Sequence, residues 1–388
     1  MSITVESQPD YTKIINPFND IPFIVSSDET AQPNFSFLAT CYVNTEGVFD
    51  AAKAGIGELD RATFDFKSII ESYLSYSFSS VNTLRKNEGA CVTAGILFGE
   101  RYDGEDYYPE EDPIEYVVLN TSLTYNEFQS STISTIDLSN AGTSFLTTRR
   151  SDRRGVDEVD WLSFFYGSSA AALTNIVFKK YNSAGTLLAT NNVTLGTLEE
   201  NSIYSFGAGP LNVRQQFGDS FLSGVAYYTV QIDGVSELFR YTIVERCNGY
   251  EVIDLIFINK YGVVDTFTFD LLSREESQIT KATATVSRGG VNTTTGAYES
   301  GELKQIVKPY NIVVEDSLSL NSNWCTDEQA VFLKELFTSP AVWGRRGAIY
   351  EPYSVQNQPY NKKKVVNDWL FNYTINLTAQ QKSRRQNG

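Results

Sequence analysis

Residues 225–244 read VAYYTVQIDGVSELFRYTIV, and this stretch decides the fold class. Val225 to Ile232 and Val235 to Val244 are rich in β-branched and aromatic residues, the types that suit a pleated, half-buried surface. Asp233-Gly234 between them accepts positive φ at both central positions of a type I′ turn, so a tight antiparallel hairpin is expected. The same rhythm extends upstream. Asn175 to Tyr181 reads as a strand, Asn182, Ser183, Ala184 and Gly185 as a turn, and Thr186 to Thr190 as the return, a meander or sandwich pattern. Phe35, Phe37, Ala39, Cys41 and Val43 alternate with their neighbours, and Cys91 to Tyr102 reads as a further strand. Downstream, Ile253, Leu255 and Phe257 share one side of a strand, and Lys260-Tyr261-Gly262 turns the chain. Phe267, Phe269 and Leu271 then alternate with Thr266, Thr268 and Asp270, giving an apolar and a polar face. Trp369, Phe371, Tyr373, Ile375 and Leu377 predict a half-buried last strand.

Helical spacing is confined to two places. Phe66, Ile69, Ile70, Tyr73 and Leu74 fall on one face of a short helix suited to covering a sheet. Thr326 with Gln329 forms a capping box before a helix whose apolar arc is Ala330, Phe332, Leu333, Leu336 and Phe337, with Pro340 as its stop. A chain of 388 residues is long enough for two or three domains. The expectation is a mainly β protein of two or three antiparallel β-sandwich-like domains with a few short covering helices. Residues 1–145 make an N-terminal β domain with one short helix, 155–246 a middle β-sandwich-like domain, and 247–388 a C-terminal β domain with one amphipathic helix. The first border is placed on the stretch Ser139 to Gly155, which carries Arg149, Arg150, Arg153 and Arg154 and no long apolar run.

Composition removes whole classes of function. There is no histidine, so mechanisms that need an imidazole base or ligand are excluded. A net charge of -16 opposes general attraction to nucleic acid or an anionic membrane. Ser2 to Asn16 has no apolar core flanked by positive charge, so neither a signal peptide nor a spanning segment is expected, and the product is expected in a cytoplasm. Cys41, Cys91, Cys247 and Cys325 are too far apart for zinc or dithiol spacing and read as buried thiols. Gly207-Ala208-Gly209 lacks the third glycine, a following helix and the acidic ribose partner of a dinucleotide loop, and reads as a turn. No cofactor, metal or catalysis is expected.

Between Glu100 and Glu115 stand Glu100, Asp103, Glu105, Asp106, Glu110, Glu111, Asp112 and Glu115, beside Arg101, Tyr102, Tyr107 and Tyr108. Two such carboxylates could act as the acid and base of a glycosidase. Asp103-Gly104-Glu105-Asp106 offers hard oxygens to calcium without the register of an EF-hand. The simpler reading is a solvated acidic loop held by Pro109 and Pro113. Tyr107, Tyr108, Glu110 and Glu111 then become the aromatic and acidic side of an assembly interface, and Lys362, Lys363, Lys364, Arg384 and Arg385 the basic side.

The run from Asn259 to Phe269, an N-x-Y-G-x-x-D-x-F-x-F pattern, resembles one found in virion structural proteins of tailed bacteriophages. Trp324-Cys325-Thr326-Asp327-Glu328 with its helix and Ser339-Pro340 is similar to the same group. So are Gln32-Pro33-Asn34-Phe35 leading into Tyr42-Val43-Asn44, and Leu370-Phe371-Asn372-Tyr373. The resemblance implies a virion structural protein, a tail component at the tail tip or baseplate, assembled in the host bacterial cytoplasm. Its partners would be other copies of itself, as a homo-oligomer, and neighbouring virion proteins, with no nucleic acid and no membrane insertion. Trp161 to Cys247 carries no match. The alternative is therefore a receptor- or glycan-binding adhesion module there, using exposed tyrosines, Trp161 and the acidic loop on a host surface glycan.

Overall fold

The computed structural model describes residues 3–16, 20–44, 46–53, 60–109, 112–138, 140, 142–167, 173–232, 236–246, 249–300, 306–360, 372–381 and 383–384. The chain is mainly β, with several antiparallel sheets and few helices. Its internal contacts divide it into two compact units. One holds Met1–Arg246 with Phe257–Thr266, the other Cys247–Ile256 with Phe267–Gly388.

The first unit contains two pairs of sheets. In one pair, Ile3–Ser7, Pro22–Ser27 and Arg61–Asp65 form a three-stranded sheet. Its partner runs Glu46–Lys53, Ser36–Val43, Cys91–Tyr102 and Glu105–Tyr107, with Ile114–Leu119 also against Cys91–Tyr102. Phe23, Val25 and Phe64 from the first sheet meet Phe37, Phe98 and Tyr116 from the second in one core, which the helix Lys67–Tyr73 joins through Ile70. In the other pair, Trp161–Tyr166, Ser202–Gly207 and Arg85–Lys86 form one sheet. The opposing sheet runs Ser151–Arg154, Phe239–Ile243, Tyr227–Ile232, Asn175–Tyr181 and Leu187–Thr194. Phe164, Phe178, Phe206, Tyr228 and Tyr241 fill the space between them. Arg85–Lys86 comes from the expected N-terminal domain and pairs with Ser202–Gly207 of the expected middle domain, and residues on both sides of 145–155 lie in the one unit.

The opening hairpin is present with a different register. The turn Asp233-Gly234 lies outside the described residues. A two-residue turn there would set Val230 opposite Glu237, whereas Val230 pairs with Phe239 and Tyr228 with Tyr241. Burial explains the shift, because this register stacks Tyr228 on Tyr241 at 5.1 Å in the core and leaves Glu237 in the connection. The Ser236 hydroxyl accepts the N–H of Ile232 at 2.9 Å, closing the longer loop. A helix, Pro210–Phe217, does follow Gly207-Ala208-Gly209, contrary to the sequence reading. Its first N–H groups are spent within the chain: Gly209 N donates to Asp160 O at 3.0 Å and Leu211 N to Glu158 O at 3.0 Å. These two donors are taken within the chain and do not cradle a phosphate.

In the second unit the strands Val342–Arg346, Ile349–Val355, Thr374–Ala379, Val307–Asn321 and Arg274–Thr285 lie side by side in that order. The helix Asp327–Phe337 begins as its cap predicts, Thr326 N donating to Gln329 Oε1 at 3.0 Å, and it buries Ala330, Phe332, Leu333 and Leu336. Strand Thr374–Ala379 buries Ile375 and Leu377, while Trp369 and Phe371 lie outside the described residues. The polar face expected at Thr266, Thr268 and Asp270 is not a solvent face: Thr266 is as buried as Phe269, and Thr268 and Asp270 are half-buried like Phe267 and Leu271.

Candidate functional site

The first part of the acidic stretch folds as a hairpin, while Tyr108, Pro109, Asp112 and Pro113 lie outside any strand. Cys91–Tyr102 turns through Asp103 and Gly104, both at positive φ (53° and 84°), into Glu105–Tyr107. Arg101 clamps Asp106 with two hydrogen bonds, 2.5 and 2.9 Å, which hold the Asp106 carboxyl below its usual range. Tyr107 stacks on Tyr102 at 4.5 Å, and Tyr108 lies over Gly99, where an added Cβ would meet its ring at 2.6 Å. These two tyrosines therefore pack first against their own hairpin, with Tyr108 still 39% exposed. Glu100 points inward, 1% exposed, and neither of its oxygens has a hydrogen-bond partner among the described residues. Among those residues no group of three or more Cys, Asp or Glu is arranged to hold a metal ion. Glu110, Glu111, Lys362, Lys363, Lys364 and Arg385 lie outside the described residues. Arg384 has its backbone in the short strand Ser383–Arg384, opposite Val313.

Two of the four arginines taken to mark a domain border are instead the centre of a buried ion network. Arg149 pairs with Asp152, with Asp265 and, at 3.1 Å, with Asp160, its guanidinium 5.8 Å from the Phe239 ring. Arg154 donates to Asp152 at 2.8 Å and to the carbonyls of Val159 (3.3 Å) and Thr266 (2.5 Å). Tyr241 donates to Asp160 at 2.7 Å. Burial alone would raise Asp152, but Arg154 and Arg149 outweigh it and hold its carboxyl low. At Asp265 burial wins over Arg149, with Asp160 adding repulsion, and its carboxyl is raised. Two guanidinium groups face three carboxylates, and Asp265 takes up a proton more readily than Asp152.

This network explains the N-x-Y-G-x-x-D run in physical terms. Asn259 accepts the Tyr261 N–H at 2.9 Å, fixing the turn, and donates to both Asp265 and Leu146 O at 2.8 Å. Gly262 sits at φ 74°, where an added Cβ would be 2.1 Å from Asn120 O, so the turn docks backbone against backbone. Lys260 reaches Glu127 at 2.6 Å. The Asn259 amide and the Asp265 carboxylate of the motif are both engaged in holding the chain.

The feature that sequence reading missed is a ribbon in the second unit. Arg274–Thr285 pairs along its whole length with Val307–Asn321, about 40 Å at ~3.3 Å per residue. Val307–Asn321 has second neighbours only at 313–314 and 317–321, so beyond them two strands run on with no third beside them among the described residues. Arg274–Thr285 forms the sheet edge. Large apolar side chains stand out along it: Ile279 is 57%, Val307 55% and Tyr310 58% exposed. The only signal in the sequence was the Thr- and charge-rich alternation of residues 274–285. No helix of the described residues is long and apolar enough to cross a membrane. No family model and no curated protein matches the chain.

Proposed function

We propose that this chain is a structural protein of a tailed-bacteriophage virion, a tail component of the tip or baseplate that works by assembly and catalyses nothing. Its partners are other copies of itself and neighbouring virion proteins, joined in the host bacterial cytoplasm. The ribbon carries the reading. An isolated two-stranded ribbon is marginal in water, and one that also exposes isoleucine, valine and tyrosine gains stability by meeting another chain. The resemblance of Asn259 to Phe269 to phage virion proteins supports the particle in which that meeting occurs. The arginine–aspartate network holds the chain, with Arg154, Asp160 and Asp265 buried, so its charges are spent within the fold. A glycan-binding middle region loses one of its named anchors, because Trp161 is buried and edge-on to Phe78 at 5.3 Å.

Antibodies raised to the purified chain test the proposal on phage particles by negative-stain electron microscopy. Label at the far end of the tail is expected. Infectious particles that carry no copy of the chain would refute it.

A further inference from the structure

We propose that the free edge of Arg274–Thr285 is the joint between two copies of this chain, paired antiparallel about a two-fold axis through Gln278. The inference rests on the assembly reading above and names its partner. One edge of this strand is taken by Val307–Asn321, and the other has no neighbour among the described residues, with every side chain from Arg274 to Lys281 exposed. Unpaired backbone donors and acceptors on such an edge are a template for another strand.

Symmetry and charge choose the partner strand and its register. A two-fold between antiparallel copies requires one residue to face itself. Centring on Gln278 sets Glu275 opposite Lys281 twice, Arg274 opposite Ala282, Glu276 opposite Thr280 and Ser277 opposite Ile279. Centring on Ser277 sets Glu275 against Ile279, centring on Ile279 sets Lys281 against Ser277, and centring on Glu276 or Lys281 sets like charges together. Centring on Glu275 sets Arg274 against Glu276 but faces Glu275 with itself, so Gln278 is the centre that pairs opposite charges without setting like charges together. Lys281 has no ion-pair partner among the described residues, and Glu275 uses one oxygen on Arg346 and keeps the other. The same register brings Ile279 of the two copies diagonally together, on the face where Ile279 already lies beside Val314 and Lys281 beside Ile312. A continuous apolar strip then crosses the joint.

The test uses the full chain carrying Gln278→Cys or Thr280→Cys under mild oxidation, with the wild-type chain as baseline. Facing residues in an antiparallel pair have Cα atoms about 4.5–5.5 Å apart, within disulfide reach, whereas the two copies of residue 280 would be four residues out of register, roughly 13 Å apart. Gln278→Cys is expected to form a disulfide-linked dimer and Thr280→Cys is not. Lys281→Glu, which sets Glu275 against a second carboxylate at both ends, should weaken dimerisation measured by sedimentation roughly tenfold. Equal bridging by both cysteine variants, or a monomer at every concentration, overturns the joint. An oligomer that neither bridges at residue 278 nor responds to Lys281→Glu overturns this joint while leaving the assembly reading standing.

Discussion

Replacing Arg149 by Met removes the positive charge from a site with three carboxylates around it. Its side chain is 8% exposed and those of Asp160 and Asp265 are 0% and 1%, so water cannot take its place. Breaking a buried pair from one side costs about 3–5 kcal/mol, a large part of the ~5–15 kcal/mol that holds a typical protein folded. The loss should depend on pH with a definite sign. Without Arg149, Asp265 is raised further and Asp152 is held low by Arg154 alone. A carboxyl with a folded pKa above its unfolded value favours the fold below the unfolded pKa, and that contribution is lost as pH rises through the folded pKa. The penalty of Arg149→Met should therefore grow from acid towards neutral pH, by up to ~1.4 kcal/mol per unit for one proton. Asp265→Asn added to Arg149→Met removes the stranded charge and should recover a substantial part of the loss, about 1–3 kcal/mol. Amide hydrogen exchange across residues 257–266 of the full chain reads the local opening energy at each pH. An Arg149→Met protein within ~1 kcal/mol of wild type, or a penalty flat with pH and untouched by Asp265→Asn, would refute the reasoning.

Other substitutions probe separate contacts. Gly262→Ala places a Cβ at φ 74° against Asn120 O and should cost at least ~2 kcal/mol in thermal unfolding, whereas Gly104→Ala, with open space around it, should cost only the ~1 kcal/mol of its backbone strain. Glu100→Met removes a buried carboxyl group that has no hydrogen-bond partner among the described residues and should raise stability by ~1–3 kcal/mol, seen as a higher melting temperature; an unchanged or lower value counts against its burial. Thr326→Ala removes the cap of the helix Asp327–Phe337 and should cost ~1 kcal/mol, with Thr326→Ser close to neutral. Burial pushes the Cys41 thiol up to about 11 and Cys91 up to about 12, so at pH 8 both should resist iodoacetamide until the protein unfolds, as mass spectrometry of the peptides can show.

Local rules carried far in this chain. Period-two alternation placed the strands Cys91–Tyr102 and Asn175–Tyr181, and the Thr326–Gln329 box placed the helix start, because these signals lie within a few residues of the structure they specify. Function was less legible. Tyr107 and Tyr108 read as interface residues, and the sequence did not show that each also packs on its own hairpin, since the Arg101–Asp106 clamp and the bare Gly99 that gather them act across strands.

What residues 225–244 and their kind determined alone was the class of structure: short alternating strands, few helices, no imidazole chemistry. Tertiary structure decided which charges are inside. Arg149, Arg150, Arg153 and Arg154 look alike as a run, but Arg149 and Arg154 meet aspartates brought from residues 160 and 265, while Arg150 stays 78% exposed beside Glu237. A strand pattern is a property of neighbours along the chain. A buried ion pair, a hairpin register and a free sheet edge are properties of residues that the fold brings together from about ten to more than a hundred positions apart, set by which arrangement leaves fewest charges and least apolar surface without a partner.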